Sequence, residues 1–160
     1  MAIHKKTVLI VDDESLQRAW MRGILRRQGY AVLEASDYAG ALAAMVRYLG
    51  TIDLFLIDLR LPGGSGYDLA EELLAAHPAS KILFVSGTAG AELCKYFASP
   101  LPPVQFLHKP FEASQLAARV KEIFQPVDQS LSANACNNMT HAAETQGRRV
   151  DVAGKRHRKC

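Results

Sequence analysis

Five side chains in this chain could do chemistry together: Asp12, Asp13, Asp58, Ser86 and Lys109. Each follows an apolar run, namely Val8-Leu9-Ile10-Val11, Leu54-Phe55-Leu56-Ile57, Ile82-Leu83-Phe84-Val85 and Val104-Gln105-Phe106-Leu107. Three carboxylates brought close repel by roughly 1 kcal/mol per pair at 4 Å in water, and by about 4 kcal/mol at an effective dielectric of 20. A cation is therefore required among them. Asp12, Asp13, Asp58 and Lys109 sum formally to −2, which one divalent ion neutralises. Oxygen donors with few protein ligands favour magnesium, which keeps several waters and bridges readily to phosphate. With that charge balanced, Asp58 can attack phosphorus as a carboxylate nucleophile and become an aspartyl phosphate. Lys109 would hold one phosphoryl oxygen as a point charge and the Ser86 hydroxyl would donate to another.

Such convergence demands a particular scaffold. Leu54 to Ile57, flanked by Asp53 and Asp58, is too uniformly apolar for a half-wet strand, so it reads as a central strand buried on both faces. Val8 to Val11 is a second, and Ala31 to Ala35 is a more mixed strand suited to a sheet edge. Lys81 to Val85 and Val104 to Leu107 complete five. A first helix runs to about Gln28, with Leu16, Trp20 and Ile24 as its expected inward stripe and Gly29 as its stop. Asp37 caps a second helix bearing Tyr38, Leu42, Met45, Val46 and Leu49 at helical spacing. Leu59 to Gly66, containing Pro62 and three glycines, reads as a loop, and Ser65 opens a third helix ending before Pro78. A short helix is expected over 91–97. The last carries Leu116, Val120, Ile123 and Phe124 inward and ends before Pro126. Strands alternating with helices predict an α/β, doubly wound five-stranded parallel sheet with helices on both faces. In such sheets ligands sit outside the carboxyl ends of the strands, which is where the five chemical residues stand.

The chain resembles the receiver domains of two-component response regulators. The resemblance covers residues 6 to about 125 and rests on Asp12-Asp13, on Asp58 with Pro62 and Gly66 beyond it, on Ser86-Gly87 and on Lys109-Pro110-Phe111. It implies a flavodoxin-like sheet of order 2-1-3-4-5. It implies that Asp58 is the phosphoacceptor, served by a sensor histidine kinase or a histidine phosphotransfer protein, and that the domain catalyses only its own phosphorylation and dephosphorylation. Mg2+ would be held by Asp13, Asp58 and the backbone carbonyl of Arg60, with Asp12 acting mainly through water. Ser86 and Phe106 would form a switch, altering the face made by the fourth helix, fifth strand and fifth helix toward a downstream protein or, as a homodimer, a second copy. The Lys109-Pro110 bond would be cis. Arg60, two residues after the acceptor, and Thr88, two after Ser86, would modulate the phosphate's lifetime.

Composition narrows the alternatives. A chain of 160 residues with 49% hydrophobic content suits one domain with a substantial core. No apolar run reaches the ~20 residues of a membrane span, and a signal peptide is not evident, so a cytoplasmic protein is expected. Cys94, Cys136 and Cys160 lack metal-ligand spacing and are expected to stay reduced. The net charge of +3 belongs to residues 126–160, which hold six Lys/Arg against three acidic residues, while residues 1–125 are balanced. The domain thus occupies 1–125, followed by a basic tail over 126–160 expected to be disordered. Nothing in the balanced part suggests nucleic-acid binding, and no output module fits after Gln125, so a stand-alone domain acting on other proteins is expected. Two competing readings remain. A magnesium-dependent phosphohydrolase with an aspartyl nucleophile would use similar residues, and a receiver-like scaffold would bind partners without phosphorylation.

Overall fold

The computed structural model describes residues 5–87 and 105–125. In chain order they form β1 (Thr7–Val11), α1 (Ser15–Arg27), β2 (Ala31–Ala35), α2 (Tyr38–Arg47), β3 (Leu54–Asp58), β4 (Arg60–Leu61), β5 (Gly64–Ser65), α3 (Gly66–Ala76), β6 (Lys81–Ser86), β7 (Gln105–His108) and α4 (Ala113–Phe124). The main sheet is parallel throughout, in the order β2-β1-β3-β6-β7. Counting only its five strands, that is the expected 2-1-3-4-5 of a flavodoxin-like fold.

Alternation along the strands divides the core into two layers. Leu9, Val11, Phe55, Ile57 and Phe84 pack with Ala41 of α2 and Leu69, Ala70 and Leu73 of α3 on one face. Val8, Ile10, Leu54, Leu56, Leu83 and Val85 meet Met21, Ile24 and Leu25 of α1 and Leu116, Val120 and Ile123 of α4 on the other. Every residue of β1 and β3 is buried, which is why their sequences are unbroken apolar runs.

Three expectations need correction. The inward face of α1 is carried by Met21, Ile24 and Leu25, while Leu16 is 86% and Trp20 42% exposed. At about 100° per residue, a side chain five positions from Met21 is turned far from the sheet. Val46 stands in the same relation to Ala41 and is likewise exposed, and Leu49 lies beyond the end of α2 and is fully exposed. The segment after β3 is more ordered than a plain loop, since Arg60 pairs antiparallel with Ser65 and Leu61 with Gly64. Pro62 followed by Gly63 at φ 89° supplies the turn between them, because only glycine takes that φ without strain. The helix expected over 91–97, Thr88 and the tail lie outside the described residues. Among the described residues no helix is long and apolar enough to cross a membrane.

Candidate functional site

The carboxyl ends of β1, β3, β6 and β7 form one rim. The ladder between β1 and β2 extends one residue past Val11, because the Asp12 amide donates to the Ala35 carbonyl at 3.2 Å. Asp58 is the last residue of β3, and its Oδ1 accepts the Arg60 amide at 2.9 Å. Ser86 is the last residue of β6, one later than the sequence suggests, and is buried. Its carbonyl accepts the Lys109 amide at 2.9 Å, which fixes where the lysine leaves the sheet. The Lys109-Pro110 peptide is cis, as the resemblance implies.

Lys109 joins the carboxylates. Its Nζ donates to Asp58 Oδ2 at 2.6 Å and to Asp12 Oδ2 at 3.1 Å. Asp12 Oδ1 accepts the Glu14 amide at 2.8 Å. Burial pushes the Asp12 carboxyl above the usual range, more than the Glu14 amide and Lys109 draw it down. For Lys109 burial works downward, yet the hydrogen bonds and charges of Asp58 and Asp12 outweigh it and hold the ammonium above its ordinary pKa.

Asp12, Asp13 and Asp58 each offer a carboxylate oxygen such that all three lie within 4.8 Å of one another. A set of hard oxygen donors so close, with one of the three exposed, suits a small divalent cation such as magnesium. Beside them opens a cleft of about 240 Å³ lined by Asp13, Glu14, Asp58, Arg60, Gly87 and Lys109. Arg60 is exposed at its edge. Phe106 is partly buried and stacks on Phe84 with ring centroids 5.5 Å apart.

Gly87, quoted with Ser86 for the resemblance, lines the cleft. Two contributors carry no such mark in the sequence. Glu14 lines the cleft, and adjacency to Asp13 is the available signal. Arg18 of α1 sends Nη1 to the Asp12 carbonyl at 2.6 Å, a contact with no local sequence signature.

Comparison with known proteins agrees with this geometry. Residues 8–121 match the response regulator receiver domain family. The sensor kinase CckA of Brucella abortus is 38% identical over 125 residues, covering 76% of this chain and 13% of that protein. The phosphate regulon transcriptional regulatory protein PhoB of Pseudomonas aeruginosa is 36% identical, covering 75% of this chain and 52% of that protein. A CheY-like receiver domain protein of Methanospirillum hungatei superposes with a TM-score of 0.66 at 28% identity, over 74% of this chain and 92% of that one. The chain therefore spans about half or less of the curated relatives just named, and the part that matches is the part that carries the rim. With the five-stranded sheet, the acidic rim and the matching residues 8–121 in agreement, the chain belongs to the response regulator receiver domains of two-component systems.

Proposed function

We propose that Asp58 accepts a phosphoryl group from a phosphohistidine on a sensor histidine kinase or histidine phosphotransfer protein, in the cytoplasm. The observation that carries this reading is the Lys109 ammonium bonded to both Asp58 and Asp12 at the mouth of one cleft. A carboxylate oxygen of Asp58 forms a bond to phosphorus as the P–N bond of the donor breaks, and the electron pair leaves with the imidazole. As the attacking oxygen of Asp58 gives up its charge to the new acyl phosphate, the Lys109 ammonium shifts its hydrogen bond to a phosphoryl oxygen. Asp12, Asp13, Asp58 and the Arg60 carbonyl would hold magnesium. When bound, that ion offsets the charge of the carboxylates and polarises the phosphoryl oxygens.

The same side chains give the domain its output. Ser86 donates its hydroxyl to the phosphoryl group, and Phe106 repacks against Phe84 as the β6 end moves. The phosphate shifts an existing equilibrium by as much as its contacts differ between the two states. The face bearing β7 and α4 then changes its affinity for a downstream protein or a second copy of the chain.

The test is intact mass after exposure to acetyl phosphate or phosphoramidate with magnesium, for the native chain and for Asp58→Ala. A single phosphate adduct absent from the variant supports the reading. No adduct, or one that survives the substitution, returns the question to the hydrolase or the scaffold.

A further inference from the structure

We propose that Arg18 is the positioning residue of the acidic rim, and that Glu34 orients it. The Asp12 residue is held through four polar atoms. Its amide bonds Ala35, its Oδ1 accepts the Glu14 amide and its Oδ2 accepts Lys109, while its carbonyl accepts Arg18 Nη1 at 2.6 Å. That carbonyl lies in the same planar peptide unit as the Asp13 amide. Fixing it fixes the direction in which the chain departs toward Asp13, whose carboxylate is exposed.

The guanidinium reaches the carbonyl because it is braced from the neighbouring strand. Arg18 Nε lies 3.6 Å from Glu34 Oε1, and Arg22 Nη1 holds Glu34 Oε2 at 2.6 Å. Glu34 belongs to β2, opposite Ile10 and two residues before the carbonyl's own residue in register. A planar, forked donor suits a bridge between a carboxylate on one side and a carbonyl on the other, and a lysine ammonium does not reproduce it. Only 18% of the Arg18 side chain is exposed, so water competes weakly for the bond.

The role separates cleanly from mere charge. Removing a cation near three carboxylates makes their field more negative, which by Coulomb's law would tighten binding of a divalent ion. Loss of a positioning contact acts in the opposite direction, and groups that orient metal ligands typically contribute about 10–100-fold in affinity. This part rests on the magnesium reading proposed above, so a second readout is taken without metal.

The experiment uses the full chain, Arg18→Met, Arg18→Lys and, as a remote control, Arg119→Met, whose exposed partner is Glu122. Magnesium affinity is measured by calorimetry, and hydrogen exchange of the Glu14 amide is followed in metal-free protein, with unfolding stability measured alongside. Positioning predicts about tenfold weaker magnesium binding in both Arg18 variants. It also predicts exchange at Glu14 that rises by more than the change in global stability allows, with Arg119→Met like the native chain. Tighter or unchanged magnesium binding in Arg18→Met, or unchanged exchange at Glu14, overturns the proposal. If the native chain binds no magnesium while exchange at Glu14 still rises in the Arg18 variants, the magnesium reading fails and the positioning role stands.

Discussion

A methyl group on Gly66 would stand 2.1 Å from the carbonyl oxygen of Asp58. The hairpin of β4 and β5 returns the chain so closely that the Gly66 amide bonds the Leu59 carbonyl at 3.0 Å, with no room for a Cβ between α3 and the end of β3. The obstructing atom is backbone, which cannot rotate aside. Gly66→Ala is therefore expected to lose about 1–3 kcal/mol of unfolding free energy by overpacking. It should also slow phosphorylation by small phosphodonors, because the residue that must move is Asp58, the proposed acceptor. Urea denaturation and intact mass against time check the two effects, and a variant native in both would remove the argument.

Lys109 is the one cation bonded to both Asp12 and Asp58 among the described residues. Lys109→Met leaves a fully buried Asp12 and a nearly buried Asp58 without it. Removing one member of a fully buried ion pair costs about 3–5 kcal/mol, and the open cleft beside Asp58 lets water reduce this to the bottom of that range or below. The expected outcome is a loss of about 2–3 kcal/mol in metal-free urea denaturation at neutral pH, partly recovered on adding magnesium. Equal midpoints with and without the lysine would show that water already screens the carboxylates.

The legibility of this molecule in its sequence follows from where its constraints are local. Leu54 to Asp58 announces a central strand because every position is buried, and burial of both faces leaves no freedom of composition. Asp12, Asp58, Ser86 and Lys109 are readable because each sits within a residue of a strand end, so topology alone brings them together. The face of α1 is less legible. Leu16 and Trp20 are as apolar as Met21 and Leu25, and only the packing of α1 over β1 and β2, with α4 beside it, decides which set is covered. The Arg18 bridge is illegible for a related reason, since it depends on Glu34 from the adjacent strand.

Asp37 makes a pH-dependent contribution whose sign is fixed by its contacts. Its Oδ1 accepts the Gly40 amide at 2.7 Å at the start of α2, and its Oδ2 accepts the Ser36 hydroxyl at 2.8 Å. The Gly40 amide, then the Ser36 hydroxyl, hold the carboxyl below its ordinary range in the folded protein. A carboxylate whose pKa is depressed on folding stabilises the fold above its unfolded pKa of about 3.9, and that contribution is lost as pH falls through the folded value. The native chain should thus exceed Asp37→Ala in stability at pH 7, and the gap should narrow below about pH 4. Thermal unfolding of both proteins from pH 7 down to pH 3 measures it. A gap that is constant over that range would mean the cap works without its charge.

Arg60 lines the cleft between Asp58 and the solvent, and its amide is committed to Asp58 Oδ1 at 2.9 Å. Substitution of the side chain leaves that backbone bond in place, so Asp58 keeps its position while the entrance changes. A long exposed guanidinium can lie over the acyl phosphate, pair with a phosphoryl oxygen and exclude an attacking water, whereas a short amide can hydrogen-bond and orient one. Arg60→Asn is expected to shorten the lifetime of the phosphate on Asp58 several-fold, with little change in the rate of its formation from phosphoramidate. Decay followed by intact mass after removal of the donor gives the answer. Equal decay in the two proteins would leave Arg60 no part in protecting the phosphate, and would assign its place at the cleft to the backbone alone.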